Sequence, residues 1–119
     1  MTKYAPILLF VYNRPEHLKQ TMETLQNNTL AAESKLYIYS DAARKDTDEA
    51  AVAEVRNYIH KITGFKSITL IEREKNWGLA RNIIDGVTTQ VNRFGRVIVM
   101  EDDLITAVRI LQERALYLQ

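Results

Sequence analysis

The chain contains no cysteine, so neither disulfides nor thiolate metal sites can form. This absence fits a reducing cytoplasm, which is the expected location. Charge of one sign is also missing: 16 basic and 15 acidic residues leave a net charge of +1, with Lys and Arg spread along the chain. No basic stripe marks a nucleic-acid or membrane surface. Long apolar runs are absent too. Pro6–Tyr12 is apolar but too short to span a bilayer, and it lacks the charged start and small-residue cleavage site of a signal peptide. There are no internal repeats and no low-complexity tracts. What is present is ordinary for one small globular domain: 119 residues, 46% hydrophobic and 26% charged.

Apolar segments alternate between strand and helix character. Pro6-Ile7-Leu8-Leu9-Phe10-Val11-Tyr12 is continuous and apolar, as in a strand covered on both faces. It halts at Asn13-Arg14-Pro15, and Pro15 suits the first position of a helix, where its missing amide costs nothing. Leu18, Met22 and Leu25 then recur at helical spacing, up to Asn27-Asn28. Lys35–Ser40 reads as a second strand, followed by Asp41. Asp46 and Glu49 resemble a capping box ahead of a helix carrying Val52, Val55, Ile59 and Ile62, with Gly64 as its stop. Ser67–Ile71 is a third strand, and residues 72–78 form a polar loop holding the sole tryptophan, Trp77. Leu79, Ile83, Val87 and Val91 form the next helical face, and Arg96–Glu101 is the fourth strand. Ala107–Leu118 is expected to be a closing helix. This order predicts an α/β, Rossmann-like three-layer sandwich with a mainly parallel sheet and right-handed crossovers.

The strongest chemical signal is the acidic triplet Glu101-Asp102-Asp103, which closes the β-branched run Val97-Ile98-Val99. Adjacent carboxylates repel one another and favour a nearby cation. Oxygen ligands at a strand end suit Mg²⁺ or Mn²⁺, and ligands of open α/β sheets bind beyond the carboxyl ends of the strands. The competing reading is a solvated turn or helix cap.

Four segments together resemble the donor-binding half of a family 2 glycosyltransferase of the nucleotide-diphospho-sugar transferase (GT-A) fold. They are Phe10-Val11-Tyr12-Asn13-Arg14-Pro15, Ser40-Asp41, Lys75-Asn76-Trp77-Gly78-Leu79-Ala80-Arg81-Asn82 and Val99-Met100-Glu101-Asp102-Asp103-Leu104. The Glu-Asp-Asp form is also similar to the N-acetylglucosaminyltransferase that initiates complex N-glycans. The resemblance spans roughly residues 4–106, so residues 1–106 are taken as the nucleotide-sugar-binding half and 107–119 as the closing helix.

The resemblance implies a nucleoside-diphosphate sugar donor, presumed UDP-linked, and an unknown glycan, lipid or protein acceptor. Tyr12, Asn13 and Arg14 would line the nucleotide pocket, with Arg14 pairing a phosphate oxygen. Asp41 would accept a hydrogen bond from the base. Arg81 would add positive charge near a helix N-terminus that favours anions. Glu101 and Asp102 would contact the ribose or hold Asp103, and Asp103 would bind Mn²⁺ or Mg²⁺. Plainer readings stand beside each role. Asn13 and Arg14 also suit the turn before Pro15, and Asp41 suits a turn of its own. Arg81 is spaced to pair with Asp85, Trp77 to cover the helix start, and Tyr37 and Tyr39 to pack. His17 and His60 have no evident partner ligands.

The family's chains normally continue past the acidic motif into an acceptor half that carries a general base. No candidate base follows Asp103 here; Glu113 lies on the expected closing helix. The expectation is a fragment or short homologue whose exposed apolar surface favours a homo-oligomer. A non-catalytic nucleotide-sugar-binding or protein-interaction module is the alternative. A receiver domain would carry its acidic cluster after the first strand, where this chain has Tyr12-Asn13-Arg14. A dinucleotide-binding oxidoreductase or a sugar nucleotidyltransferase would show a glycine-rich loop there.

Overall fold

The computed structural model describes residues 4–28 and 31–102, and the backbone of 109–112. The elements run β1 (Ile7–Val11), α1 (Pro15–Gln26), β2 (Lys35–Ser40), α2 (Glu49–Ile59), β3 (Ser67–Glu72), α3 (Leu79–Phe94), β4 (Arg96–Glu101) and β5 (Arg109–Gln112). They form one sheet of order β3-β2-β1-β4-β5. The first four strands are parallel and β5 runs antiparallel to β4. The fold is therefore the expected α/β three-layer, Rossmann-like sandwich with a mainly parallel sheet.

Strand alternation sorts the apolar residues into two layers. Ile7, Leu9, Val11, Leu36 and Ile38 meet Leu18 and Met22 of α1 and Val55 and Ile59 of α2. Leu8, Phe10, Tyr37, Tyr39, Val97 and Val99 meet Val87 and Val91 of α3 on the other face. Each such aliphatic side chain contributes about 1.5–3 kcal/mol through burial. Tyr37 and Tyr39 are buried packing residues, as their alternation suggests. Phe10 and Tyr39 stack with centroids 5.0 Å apart. Gly86 admits this stack: a Cβ there would sit 2.9 Å from Tyr39 Cζ and 3.0 Å from Phe10 Cζ.

Three local expectations are corrected. The closing helix expected over 107–119 does not form at 109–112: these residues are strand β5, whose backbone pairs with β4 from Arg96↔Gln112 to Val99↔Arg109, and the rest of that segment lies outside the described residues. Pairing satisfies the backbone groups along the outer side of β4, a non-local gain that helical periodicity does not register. The Asp46–Glu49 capping box does not form: 46–48 is a 3₁₀ turn and α2 carries no side-chain cap bond. Nor is Gly64 the stop of α2, which ends at Ile59 with His60 still right-handed. Gly64, at φ +95°, serves the turn ahead of β3 instead.

Candidate functional site

The chain builds β1, β2 and β3 outward in one direction, then returns through α3 to place β4 on the other side of β1. The carboxyl ends of β1 and β4 thus flank a topological switch point, where open α/β sheets bind ligands. A cleft of about 310 Å³ opens there. Its walls are Phe10 to Arg14 at the end of β1 and beyond it, Tyr39, Asp41 and Arg44 at and after the end of β2, Asn76, Gly78, Leu79 and Asn82 around the start of α3, and Glu101 and Asp102 at the end of β4. Of the residues singled out from sequence, Tyr12, Asn13, Arg14, Asp41, Glu101 and Asp102 all meet in this one cleft. Arg81 is not among its lining residues.

Asp41 is buried, and both its carboxylate oxygens are in use. Oδ1 accepts the N–H groups of Ala42 and Trp77, each at 2.9 Å. Oδ2 accepts the Gly78 N–H at 2.9 Å and the Asn76 amide at 3.1 Å. A carboxylate has about four lone-pair sites, and these four donors occupy them. Asp41 therefore anchors the loop entering α3 and presents no spare acceptor to a base. The backbone at Gly78, φ +84°, suits glycine and delivers its amide to that carboxylate.

Tyr12 and Asn13 are held by a residue the sequence reading did not single out. The Tyr12 hydroxyl donates to Asp48 Oδ2 at 2.9 Å, and the Asn13 amide donates to Asp48 Oδ1 at 3.1 Å. The Arg44 backbone N–H donates to the Tyr12 hydroxyl at 2.9 Å. These bonds tie the loop after β1 to the loop after β2. The Tyr12 hydroxyl and then the Asn13 amide hold the Asp48 carboxyl below its ordinary value. Burial pushes the Tyr12 phenol up.

The acidic turn is tied back to α1. The hydroxyl of the fully buried Thr21 donates to the Asp102 carbonyl at 3.1 Å. Burial raises the Asp102 carboxyl above its ordinary value; Arg14, the Tyr12 backbone N–H and His17 oppose the rise, and Glu101 adds to it. Asp103, the expected metal ligand, lies outside the described residues. Among those residues, no group of three or more ligating side chains gathers. Glu101 and Asp102 alone make an incomplete donor set for Mn²⁺ or Mg²⁺.

Trp77 sits between two guanidinium groups, with Arg73 3.7 Å and Arg81 4.0 Å from its ring centroid. Arg81 thus stacks on tryptophan in place of pairing with Asp85. Asp85 instead takes Arg73, at 2.7 Å, and Arg73 also donates to Asn82 at 2.9 Å. Asn82 in turn donates to the Gly78 carbonyl at 3.0 Å, fixing the first turn of α3. Arg56 holds the loop's other end through Ser40 and the Arg73 carbonyl. His60 is 3.2 Å from Glu72 in an exposed pair and is not among the cleft's lining residues. Sequence spacing gave no signal for Arg73, Arg56, Asp48 or Thr21, because each works on a distant segment.

A scan against models of protein families returns no match, and a search of curated proteins finds no significant relative. Among the described residues, no helix is long and apolar enough to cross a membrane.

Proposed function

We propose that the cleft binds the nucleoside-diphosphate part of a UDP-linked sugar donor, and that the chain is the donor-binding part of a glycosyltransferase acting on an unknown acceptor. One observation carries this reading: the segments after β1 and β2, at the start of α3 and after β4 all meet at the switch-point cleft. These are the segments that resemble family 2 glycosyltransferases. Arg14 supplies a cation for a phosphate oxygen. The N-terminus of α3 reaches the cleft through Gly78 and Leu79 and favours the same negative charge. Tyr12, Asn13, Glu101 and Asp102 supply polar contacts for base and ribose. Asp41 supports the wall instead of reading the base. Mn²⁺ or Mg²⁺ belongs to the proposal through Asp103, which would hold it beside the diphosphate.

Titration calorimetry of UDP, with and without Mn²⁺, tests the reading on the wild type and on Asp103→Ala. Metal-enhanced binding that is lost in Asp103→Ala supports it. A folded sample silent to UDP and to other nucleoside diphosphates overturns it. If UDP-sugars bind but UDP is never released with any acceptor, the chain is a non-catalytic nucleotide-sugar-binding module.

A further inference from the structure

We infer that the outer edge of β3 pairs with the same edge of a second copy of this chain. The strand is outermost in the sheet, and among the described residues no strand lies beyond it. An open edge offers a row of backbone donors and acceptors to another chain. Proteins usually block such edges with proline, a bulge or a charge in mid-strand. Ser67-Ile68-Thr69-Leu70-Ile71 has neither proline nor charge. Its pairing to β2 runs without a break from Lys35↔Ser67 to Ser40↔Glu72.

The charges sit only at the ends, and with opposite sign: Lys66 before the strand and Glu72 closing it. The stretch Lys66–Glu72 is therefore complementary to itself in antiparallel pairing about Thr69. Lys66 of each copy falls opposite Glu72 of the other, Ile68 opposite Leu70, and Thr69 opposite Thr69. Opposite charges, aliphatic pairs and Thr–Thr pairs are the cross-strand combinations that stabilise a sheet. Lys66 forms no ion pair with another described residue. Glu72 faces Arg56 and His60, yet its side chain keeps 29% of its exposure. Ile68 and Leu70 are only half-buried against the α1/α2 layer, and pairing would continue that layer across the twofold axis. A one-residue slip sets Lys66 against Ile71 and loses both ion pairs, so the register is specified. The edge lies beyond β2, away from the switch point between β1 and β4, and the inference stands independently of the proposed donor site.

The absence of cysteine gives a clean test. Across the twofold, the two Thr69 Cβ atoms would lie about 4.5–5.5 Å apart, close to disulfide reach. Thr69→Cys should therefore form a covalent dimer under mild oxidation. Thr88→Cys, exposed on α3, should not; the far-UV circular dichroism of both variants checks that they fold. Sedimentation velocity on the unmodified chain should show a concentration-dependent dimer, weakened about tenfold by Lys66→Glu. A chain monomeric throughout the micromolar range, or cross-linking of Thr69→Cys no faster than that of Thr88→Cys, overturns the inference. So does a dimer indifferent to Lys66→Glu.

Discussion

Asp41→Asn should loosen the loop that enters α3, although it changes one atom type and almost no volume. The carboxylate accepts two hydrogen bonds on each oxygen, from Ala42 and Trp77 on Oδ1 and from Asn76 and Gly78 on Oδ2. An asparagine keeps one oxygen. Whichever way it turns, its amide group faces two N–H donors that had an acceptor. Two bonds to a charged group are lost, each with a net value of about 1.5–3 kcal/mol. Part of this returns because the freed donors reach water as the loop opens. The expected net loss is about 2 kcal/mol, which lowers a urea midpoint by about 1 M at the slope typical of a small domain. Trp77 is the only tryptophan and belongs to this loop, so its fluorescence reports the local event while far-UV circular dichroism reports the global one. The variant should show an altered native Trp77 emission together with the shifted midpoint. A midpoint within about 0.2 M of wild type, with unchanged emission, would refute the anchoring role.

Other substitutions test separate joints of the structure. Gly86→Ala should destabilise by about 1–3 kcal/mol, because its methyl group meets the rings of Tyr39 and Phe10; a raised melting temperature, the usual result of Gly→Ala in a helix, would contradict that packing. Thr21→Val should cost about 1–2 kcal/mol by leaving the Asp102 carbonyl without its buried donor, whereas Thr21→Ser should retain most of the stability in chemical denaturation. Asp48 supplies a pH signature. Its folded-state pKa lies below the ordinary 3.8, so its contribution is present above that value and fades as pH falls through the folded-state value. Wild type should exceed Asp48→Asn in urea midpoint near neutral pH, with the gap narrowing below about pH 4; a gap that widens in acid would reverse the assigned sign.

The elements whose signals are local were legible in the sequence. Lys35–Ser40 has the same limits in the sequence reading and in the structure, because a strand of aliphatic and aromatic residues buried on both faces leaves no competing pattern. Pro15 starts α1, as its missing amide predicts. Several misreadings share one cause, a distant partner outcompeting a near one. Arg81 had Asp85 four residues away, but Arg73 reaches Asp85 from the preceding loop and Trp77 takes Arg81. Asp46 and Glu49 have cap-like spacing, yet Asp48 between them bonds to Tyr12 and Asn13 in the loop after β1. Residues 109–112 lie within a helical apolar pattern, but the open side of β4 draws them into the sheet. The same limit applied to the cleft. Motifs placed Tyr12, Asn13, Arg14, Asp41, Glu101 and Asp102 at strand ends, while the side chains that fix them came only with the three-dimensional fold.

The order of the strands also governs how the cleft comes into being. Ile7 meets Leu36 on one side and Ile98 on the other, so β1 finds its first neighbour early in the chain and its second near the far end. Closing the shorter loop costs less entropy, and long-range pairings raise folding barriers. The β1–α1–β2 unit is thus favoured to assemble first, with β4 docking onto it later. Glu101 and Asp102 reach the cleft only with that last step, so the pocket is absent from any intermediate that lacks β4. A nucleotide that fits the cleft would bind the finished protein and ignore its precursors, acting on unfolding more than on folding.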